Sequence, residues 1–159
     1  MKTTLYKLFA LGLCLAASTT VGAQTKLKWG HVYEPAEPFH RWAIWAAGEI
    51  KRRTSGRYEI EVYPSSQLGR DNDLVQGLTI GSVDMTISAS SFFVKAFPRV
   101  GITYYPYTFR DADHLLAYAR SEVFRELADG VAAKTGNHFL STSYYGTRHT
   151  TSSKSFSTC

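Results

Sequence analysis

Apolar positions along the chain change period at regular intervals, and each change marks an element. Leu27 to Tyr33 reads as a short strand closed by Pro35 and Pro38. After it, Phe39, Trp42, Ala43, Ala46, Ala47 and Ile50 recur at helical spacing, which predicts an amphipathic helix with Trp42 on its core face. Arg52 and Arg53 fall in its last turn, where cations suit the negative end of the helix dipole, and Gly56 stops it. Tyr58, Ile60 and Val62 then alternate with Glu59, Glu61 and Tyr63 up to Pro64, a second strand. Asp71 or Asn72 supplies an N-cap for a second helix carrying Leu74, Val75 and Leu78, which Gly81 ends. Val83, Met85 and Ile87 form a third strand running into Ser88-Ala89-Ser90-Ser91.

Strand, helix, strand, helix, strand is the order of a parallel sheet with right-handed crossovers, the opening of a doubly wound α/β lobe. Beyond it, Phe92 to Tyr107 is aromatic and broken by Pro98 and Pro106, so irregular structure with short helical or extended pieces is expected. Residues 111 to 134 predict one or two helices, with Asp111 and Asp113 as capping residues and Gly136 as the stop. Phe139 to Tyr145 predicts a fourth strand leading into Gly146-Thr147-Arg148. Ligands of such sheets bind beyond the carboxyl ends of the strands. That rule nominates His31 to Glu34, with His31, Tyr33 and Glu34 among them, after the first strand and Ser65 to Gln67 with Asp71 just beyond the second. It also nominates Ser88 to Ser91, with Ser88 and Ser90 among them, after the third.

The first 23 residues alter the picture of where this lobe works. Lys2 and Lys7 form a basic head, Leu8 to Ala17 an apolar run, and Val21-Gly22-Ala23 a small-residue site. This is the pattern of a secretory signal cleaved after Ala23. The run is shorter than the roughly 20 residues that cross a bilayer. Cys14 follows Leu13 rather than a small residue and sits in mid-run, which argues against lipid anchoring. The only other cysteine is Cys159, so the exported chain has no internal disulfide to form and must be held by packing. A periplasmic destination follows.

The 159 residues, 44% of them hydrophobic and 14% aromatic, suffice for one domain with its own core. Lysine and arginine number 18 against 13 acidic residues, net +5. Loss of the signal leaves 16 against 13, a mild +3. The densest cluster, Lys51-Arg52-Arg53, is not interleaved with aromatics, so nucleic acid is not an expected partner.

Catalytic signatures are missing as well. The five histidines never recur at three- or four-residue spacing, and none adjoins a cysteine, so no zinc site is expected. Gly77 and Gly81 lack the lysine and serine or threonine of a phosphate loop, and no serine stands in a nucleophile elbow. The residues available to an exported α/β hydrolase, Ser90, His31 and Asp84, give no assignable base and orienting partner. The expected chain is therefore a non-enzyme with neither cofactor nor metal.

Three segments carry a resemblance: Tyr63-Pro64-Ser65-Ser66-Gln67-Leu68-Gly69, Gly81-Ser82-Val83-Asp84, and Tyr145-Gly146-Thr147-Arg148-His149-Thr150-Thr151-Ser152. In order and spacing they resemble the DctP-type solute-binding proteins of TRAP transporters, with similarity to the sialic-acid-binding members in the last segment. The resemblance covers Leu27 to Lys154. It implies a monomeric periplasmic receptor of two α/β lobes, of the periplasmic-binding-protein kind. Such a receptor closes on an organic acid and delivers it to small and large membrane subunits driven by an ion gradient, usually sodium.

On this resemblance Asp71, Ser88 and Arg148 fall at ligand-contacting positions, and the planar fork of Arg148 suits a carboxylate. An interlobe ion pair is the structural alternative for Arg148. Val32, Ala89 and Phe92 stand where the sialic-acid-binding type has asparagine, glutamate and arginine. These departures remove polar contacts to a sugar acid, and Phe92 offers a stacking surface instead. His31, Tyr33, Glu34, Ser90 and Tyr145 complete the expected site. The binding protein of an ATP-driven importer and the hydrolase are the alternative readings.

Family members run to about twice this length, as two lobes of ordinary domain size require. The resemblance therefore implies a signal over 1–23, a first, incomplete lobe over 24–145, and the start of the crossover to a second lobe over 146–159. The tail Ser155-Phe156-Ser157-Thr158-Cys159 departs from the family's continuation in the manner of a frameshift. The strand expected beyond it would carry the family's main carboxylate-clamping arginine.

Overall fold

A computed structural model describes residues 23–149 and 151–155. The expected signal segment, apart from Ala23, and the last four residues of the unusual tail lie outside the described residues.

Strand β1 spans Thr25–His31, two residues earlier than its apolar pattern suggests. The ladder explains the shift: Thr25 pairs with Tyr58 and donates its N–H to the Arg57 carbonyl at 2.8 Å, drawing polar Thr25 and Lys26 into the strand. Helix α1, Pro38–Arg53, starts on a proline at its first turn, where no N–H is needed. It ends with Lys51, Arg52 and Arg53 against the dipole, and Gly56 turns the chain at φ 78°. Strand β2, Tyr58–Tyr63, runs parallel to β1 in continuous register from Thr25↔Tyr58 to Gly30↔Tyr63.

Helix α2, Asp71–Ile80, is capped differently from the sequence expectation. Arg70, not Asp71 or Asn72, is its N-cap, and the Asp73 carboxylate accepts the Arg70 N–H at 2.9 Å. An acidic side chain in the third helical position can reach back over the first turn, which leaves Asp71 free to face elsewhere. Strand β3, Met85–Ile87, pairs parallel with Trp29 to His31 on the other side of β1, giving the order β2-β1-β3. Asp84 fixes this join. Its carboxylate accepts the Lys28 N–H at 2.8 Å and its own N–H donates to the Lys28 carbonyl at 3.0 Å.

Consecutive strand residues point to opposite faces. At Gly30 a side chain would run into Leu74 of α2, whereas His31 reaches His40 of α1. The two helices therefore cover opposite faces of the sheet, as a doubly wound start demands. On the α1 face the contact is made by small residues: Ala43 and Ala47 are buried, while Trp42 is 63% exposed and packs edge-on against exposed Trp45. This corrects the expectation of a core Trp42. Two alanines at i and i+4 let the helix sit close on the sheet, and Trp42, one position off that line, is left on the flank.

After β3 the chain makes two 3₁₀ segments, Ser90–Phe93 and Pro98–Tyr104, within the region expected to be irregular. Helix α3, Ala112–Ala119, is capped by Asp111, which accepts the His114 N–H at 2.7 Å. Helix α4, Glu122–Thr135, is capped by the Ser121 hydroxyl and ended by Gly136. Phe93, Val100 and Val131 form a core cluster with Val75, Leu78, Val94, Phe97 and Phe139 against it, joining α2, the 3₁₀ segments and α4.

The fourth strand expected over Phe139 to Tyr145 is absent; residues 137–149 have no regular structure. Among the described residues their backbone joins no ladder. The aromatics are engaged sideways instead. Phe139 packs edge-on against Phe93 at 4.9 Å and Tyr145 lies on Phe39 at 5.3 Å, so the alternation served these contacts rather than a sheet.

Candidate functional site

The carboxyl end of β1 builds the centre of the site. His31 is fully buried, its Nε2 lies 3.3 Å from Nδ1 of His40 in the first turn of α1, and its own Nδ1 is buried without a partner. Burial, and then the neighbouring His40, push the His31 pKa below its ordinary value. Past His31 the chain leaves the sheet and Tyr33 turns onto Phe39, with ring centroids 4.8 Å apart. Tyr145 closes over both, 5.6 Å from Tyr33 and stacked on Phe39, while its hydroxyl donates to Glu37 at 3.1 Å. Glu37, Phe39, Trp42 and Tyr145 are among the residues lining an open groove of about 650 Å³.

The end of β2 is held to the end of β1 by the backbone. Ser65 and Ser66 donate their N–H groups to the carbonyls of Tyr33 and His31 at 3.0 and 3.1 Å. Both serines have positive φ, 52° and 60°, and Gln67 N–H closes the turn onto the Pro64 carbonyl. Two successive left-handed residues form a tight primed turn, and non-glycine residues held there store strain of the sort found at ligand sites. The Ser65 hydroxyl then donates to Glu34 at 2.7 Å.

Asp71 at the start of α2 accepts the Ser88 hydroxyl at 2.8 Å, tying the ends of β2 and β3 together. Ser90 pairs with Thr103 of the second 3₁₀ segment, and Thr103 in turn donates to the Val100 carbonyl at 2.8 Å. Phe92, half-buried in the first 3₁₀ segment, lies one residue from core Phe93. Arg148 donates to the Tyr104 hydroxyl and holds its guanidinium 5.1 Å above that ring, a cation–π placement. Among the described residues no carboxylate lies within 4.0 Å of it.

Burial raises the Tyr33 pKa most, and the charges of Tyr145, Asp71, Glu37 and Tyr104 raise it further. Tyr145 is likewise pushed up, chiefly by its hydrogen bond to Glu37, while nearby Arg148 opposes the shift. The nine residues expected from the sequence all lie on the carboxyl side of the sheet or in the segments that fold over it. His31 is the exception in accessibility, being a buried support. The hydrolase set is dispersed: Ser90 meets Thr103, His31 meets His40 and Asp84 meets Lys28.

Sequence reasoning missed His40, Phe39, Glu37, Trp42 and Tyr104 as members of the site. The legible signal was positional, since the first turn after a strand of a parallel sheet borders the same crevice as the strand end. The spacing of nine between His31 and His40 is long for one helix but short for a strand, a tight connection and a helix.

Residues 29–158 match the family described as bacterial extracellular solute-binding protein, family 7, DctP. Among curated relatives, the chain is 31% identical over 151 residues to the sialic acid-binding periplasmic protein SiaP of Vibrio cholerae, covering 95% of this chain and 47% of that one. It is 27% identical to the 2,3-diketo-L-gulonate-binding periplasmic protein YiaO of Escherichia coli, covering 72% and 34%. The chain thus spans less than half the length of these relatives. Among solved structures, it resembles a TRAP periplasmic solute-binding protein of Sulfurospirillum deleyianum with bound succinate, at 31% identity and TM-score 0.64, covering 69% of this chain and 35% of that one. A similar protein of Roseobacter denitrificans with bound L-galactonate matches at 29% identity and TM-score 0.66, covering 69% and 36%.

Proposed function

Because the chain belongs to family 7 of the bacterial extracellular solute-binding proteins, the DctP family, we propose that it forms the first lobe of a periplasmic receptor that captures an organic acid for a TRAP transporter. Residues 24–145 are that lobe and 146 onward the start of the crossover. The signal over 1–23 sends it to the periplasm, and small and large membrane subunits receive the ligand, with an ion gradient driving uptake.

The observation that carries this reading is the unspent charge of Arg148. Its guanidinium rests on Tyr104, and no carboxylate partner stands within 4.0 Å among the described residues. An arginine so placed presents a fork to an incoming carboxylate. Asp71 and Ser88, hydrogen-bonded to each other, supply further polar contacts on this reading, and Tyr33, Ser90, Phe92 and Tyr145 complete the set of residues it gives to the ligand. Closure around the ligand is a hinge motion in which contacts from both lobes stabilise the closed state. One lobe supplies only part of those contacts, so the chain by itself binds weakly.

The test is a titration of the isotopically labelled chain with succinate, followed by backbone amide shifts. Saturable shifts confined to residues around Tyr33, Ser88 and Arg148, and lost in Arg148→Ala, support the reading. Shifts scattered over the surface overturn it, as does the absence of shifts with every carboxylate of a panel up to ~10 mM, a limit that corresponds to about 3 kcal/mol of binding. Uptake by cells carrying the complete receptor and requiring ATP rather than a sodium gradient would overturn the transporter assignment.

A further inference from the structure

Arg148 is the cation on which the receptor reading rests, yet its backbone does little to place it. Residues 137–149 have no regular structure and, among the described residues, join no ladder. An arginine on such a segment keeps its full rotamer freedom unless other groups hold it, and a ligand that had to order it would bind more weakly. Tyr104 is the group that holds it. The Arg148 guanidinium donates to the Tyr104 hydroxyl and lies 5.1 Å from the centre of that ring. Among the described residues, no other hydrogen bond reaches this guanidinium. The Tyr104 hydroxyl occupies only one of its N–H groups, and a carboxylate needs two, so the fork is held without being used up.

Tyr104 is itself anchored to the lobe. It ends the 3₁₀ segment Pro98–Tyr104, and the residue before it, Thr103, donates its hydroxyl to the Val100 carbonyl at 2.8 Å. With its proton so used, the Thr103 oxygen accepts from Ser90, just beyond the end of β3. Val100 is buried in the core cluster with Phe93 and Val131. A line of contacts thus runs from the core and the end of β3 through Thr103 to the Tyr104 ring. That ring is 46% exposed and lies outside the core cluster, so packing alone does not account for it. From this seat, and resting on the receptor reading above, we infer that Tyr104 is a positioning residue, which holds the Arg148 guanidinium poised for a carboxylate before the ligand arrives. It acts through Arg148 and not on the ligand. Apparent affinity falls with the fraction of molecules whose site is competent, and Tyr104 raises that fraction.

The experiment titrates the isotopically labelled chain and its Tyr104→Leu and Tyr104→Phe variants with succinate, or with whichever carboxylate of the panel above the wild type binds best. Backbone amides and the Arg148 side chain are followed together, and circular dichroism establishes that each variant is folded. Before any ligand is added, the Tyr104 ring is expected to move the Arg148 Hδ resonances upfield, a shift kept in Tyr104→Phe and lost in Tyr104→Leu. The dissociation constant is expected to rise about tenfold in Tyr104→Leu, and less in Tyr104→Phe, which keeps the ring and loses the hydroxyl. Arg148 resonances of a free side chain in the wild type overturn the inference without recourse to any variant. A folded Tyr104→Leu that binds within about twofold of the wild type also overturns it, as does one that loses affinity while the Arg148 resonances stay in place. In these cases a loss of binding in Arg148→Ala leaves the receptor reading standing. No binding of any carboxylate of the panel by the folded wild-type chain overturns the receptor reading and this inference with it.

Discussion

Acidification is the perturbation that reports most selectively on the centre of the site. His31 is fully buried, with Nδ1 unpartnered and Nε2 against His40, and burial followed by the nearby His40 lowers its pKa from 6.5. The backbone of Tyr33 and the carboxylate of Glu37 oppose that shift without reversing it. A lowered folded-state pKa means the unfolded chain binds the proton more readily. Stability from neutral His31 is therefore complete above pH 6.5 and falls as pH drops below 6.5 toward the lowered value. One proton gives a slope of at most about 1.4 kcal/mol per pH unit.

The three glutamates with lowered pKa do not obscure this. Glu49 is held at about 2 by Arg52 and Arg53, and Glu59 and Glu61 are also lowered from 4.5, so what they contribute is lost only below pH 4.5. Urea unfolding at half-unit steps from pH 8 to 4.5 is expected to show a plateau above 6.5 and a decline below it. In His31→Gln, a non-titrating polar replacement, the decline should flatten by about one proton whatever the variant's absolute stability. A flat wild-type profile, or an unchanged slope in His31→Gln, would refute the assignment of the buried pair.

Arg148→Ala in the receptor should weaken acid binding by about 1.5 to 3 kcal/mol, the usual loss for a hydrogen bond to a charged group; an unchanged dissociation constant by calorimetry would return Arg148 to a structural role. Gly30→Ala places a methyl 2.6 Å from Cδ2 of fully buried Leu74, and should lower the unfolding free energy by about 1 to 3 kcal/mol through overpacking. In α4, Gly130→Ala gains about 1 kcal/mol of helix propensity but sets its methyl 2.3 Å from the Phe97 ring, so net destabilisation is expected and a raised melting temperature would contradict the packing. Ser66→Val, at φ 60°, should cost about 1 to 2 kcal/mol in the same denaturation assay, with Ser66→Gly tolerated.

The sheet was legible because each strand and helix of its βαβαβ run buries a face whose period differs from its neighbour's. The strand expected over Leu27 to Tyr33, which the ladder shifts to Thr25–His31, the strand Tyr58 to Tyr63 and the helical positions Leu74 to Leu78 needed only that arithmetic. The carboxyl-end rule nominates Tyr33, Asp71 and Ser88, and the structure has Tyr33 just past β1 and joins Asp71 to Ser88 beyond β2 and β3. Where the pattern misled, the cause was tertiary. Phe139 and Tyr145 alternate like strand residues, yet each is taken by a ring elsewhere, Phe93 and Phe39, and the segment finds no ladder. Trp42 lies at helical spacing from core positions, but the close seat of Ala43 and Ala47 leaves it outside. His31 and His40 were unreadable as a pair, since their contact depends on how the connection between β1 and α1 folds back.

The most direct test of the central claim is a crystal structure of the protein with an organic acid bound. The account predicts the ligand beyond the carboxyl ends of β1, β2 and β3, its carboxylate within hydrogen-bonding distance of the Arg148 guanidinium and its body against Tyr145. A ligand seated at the amino ends of the strands, or one whose carboxylate is held without Arg148, would contradict it.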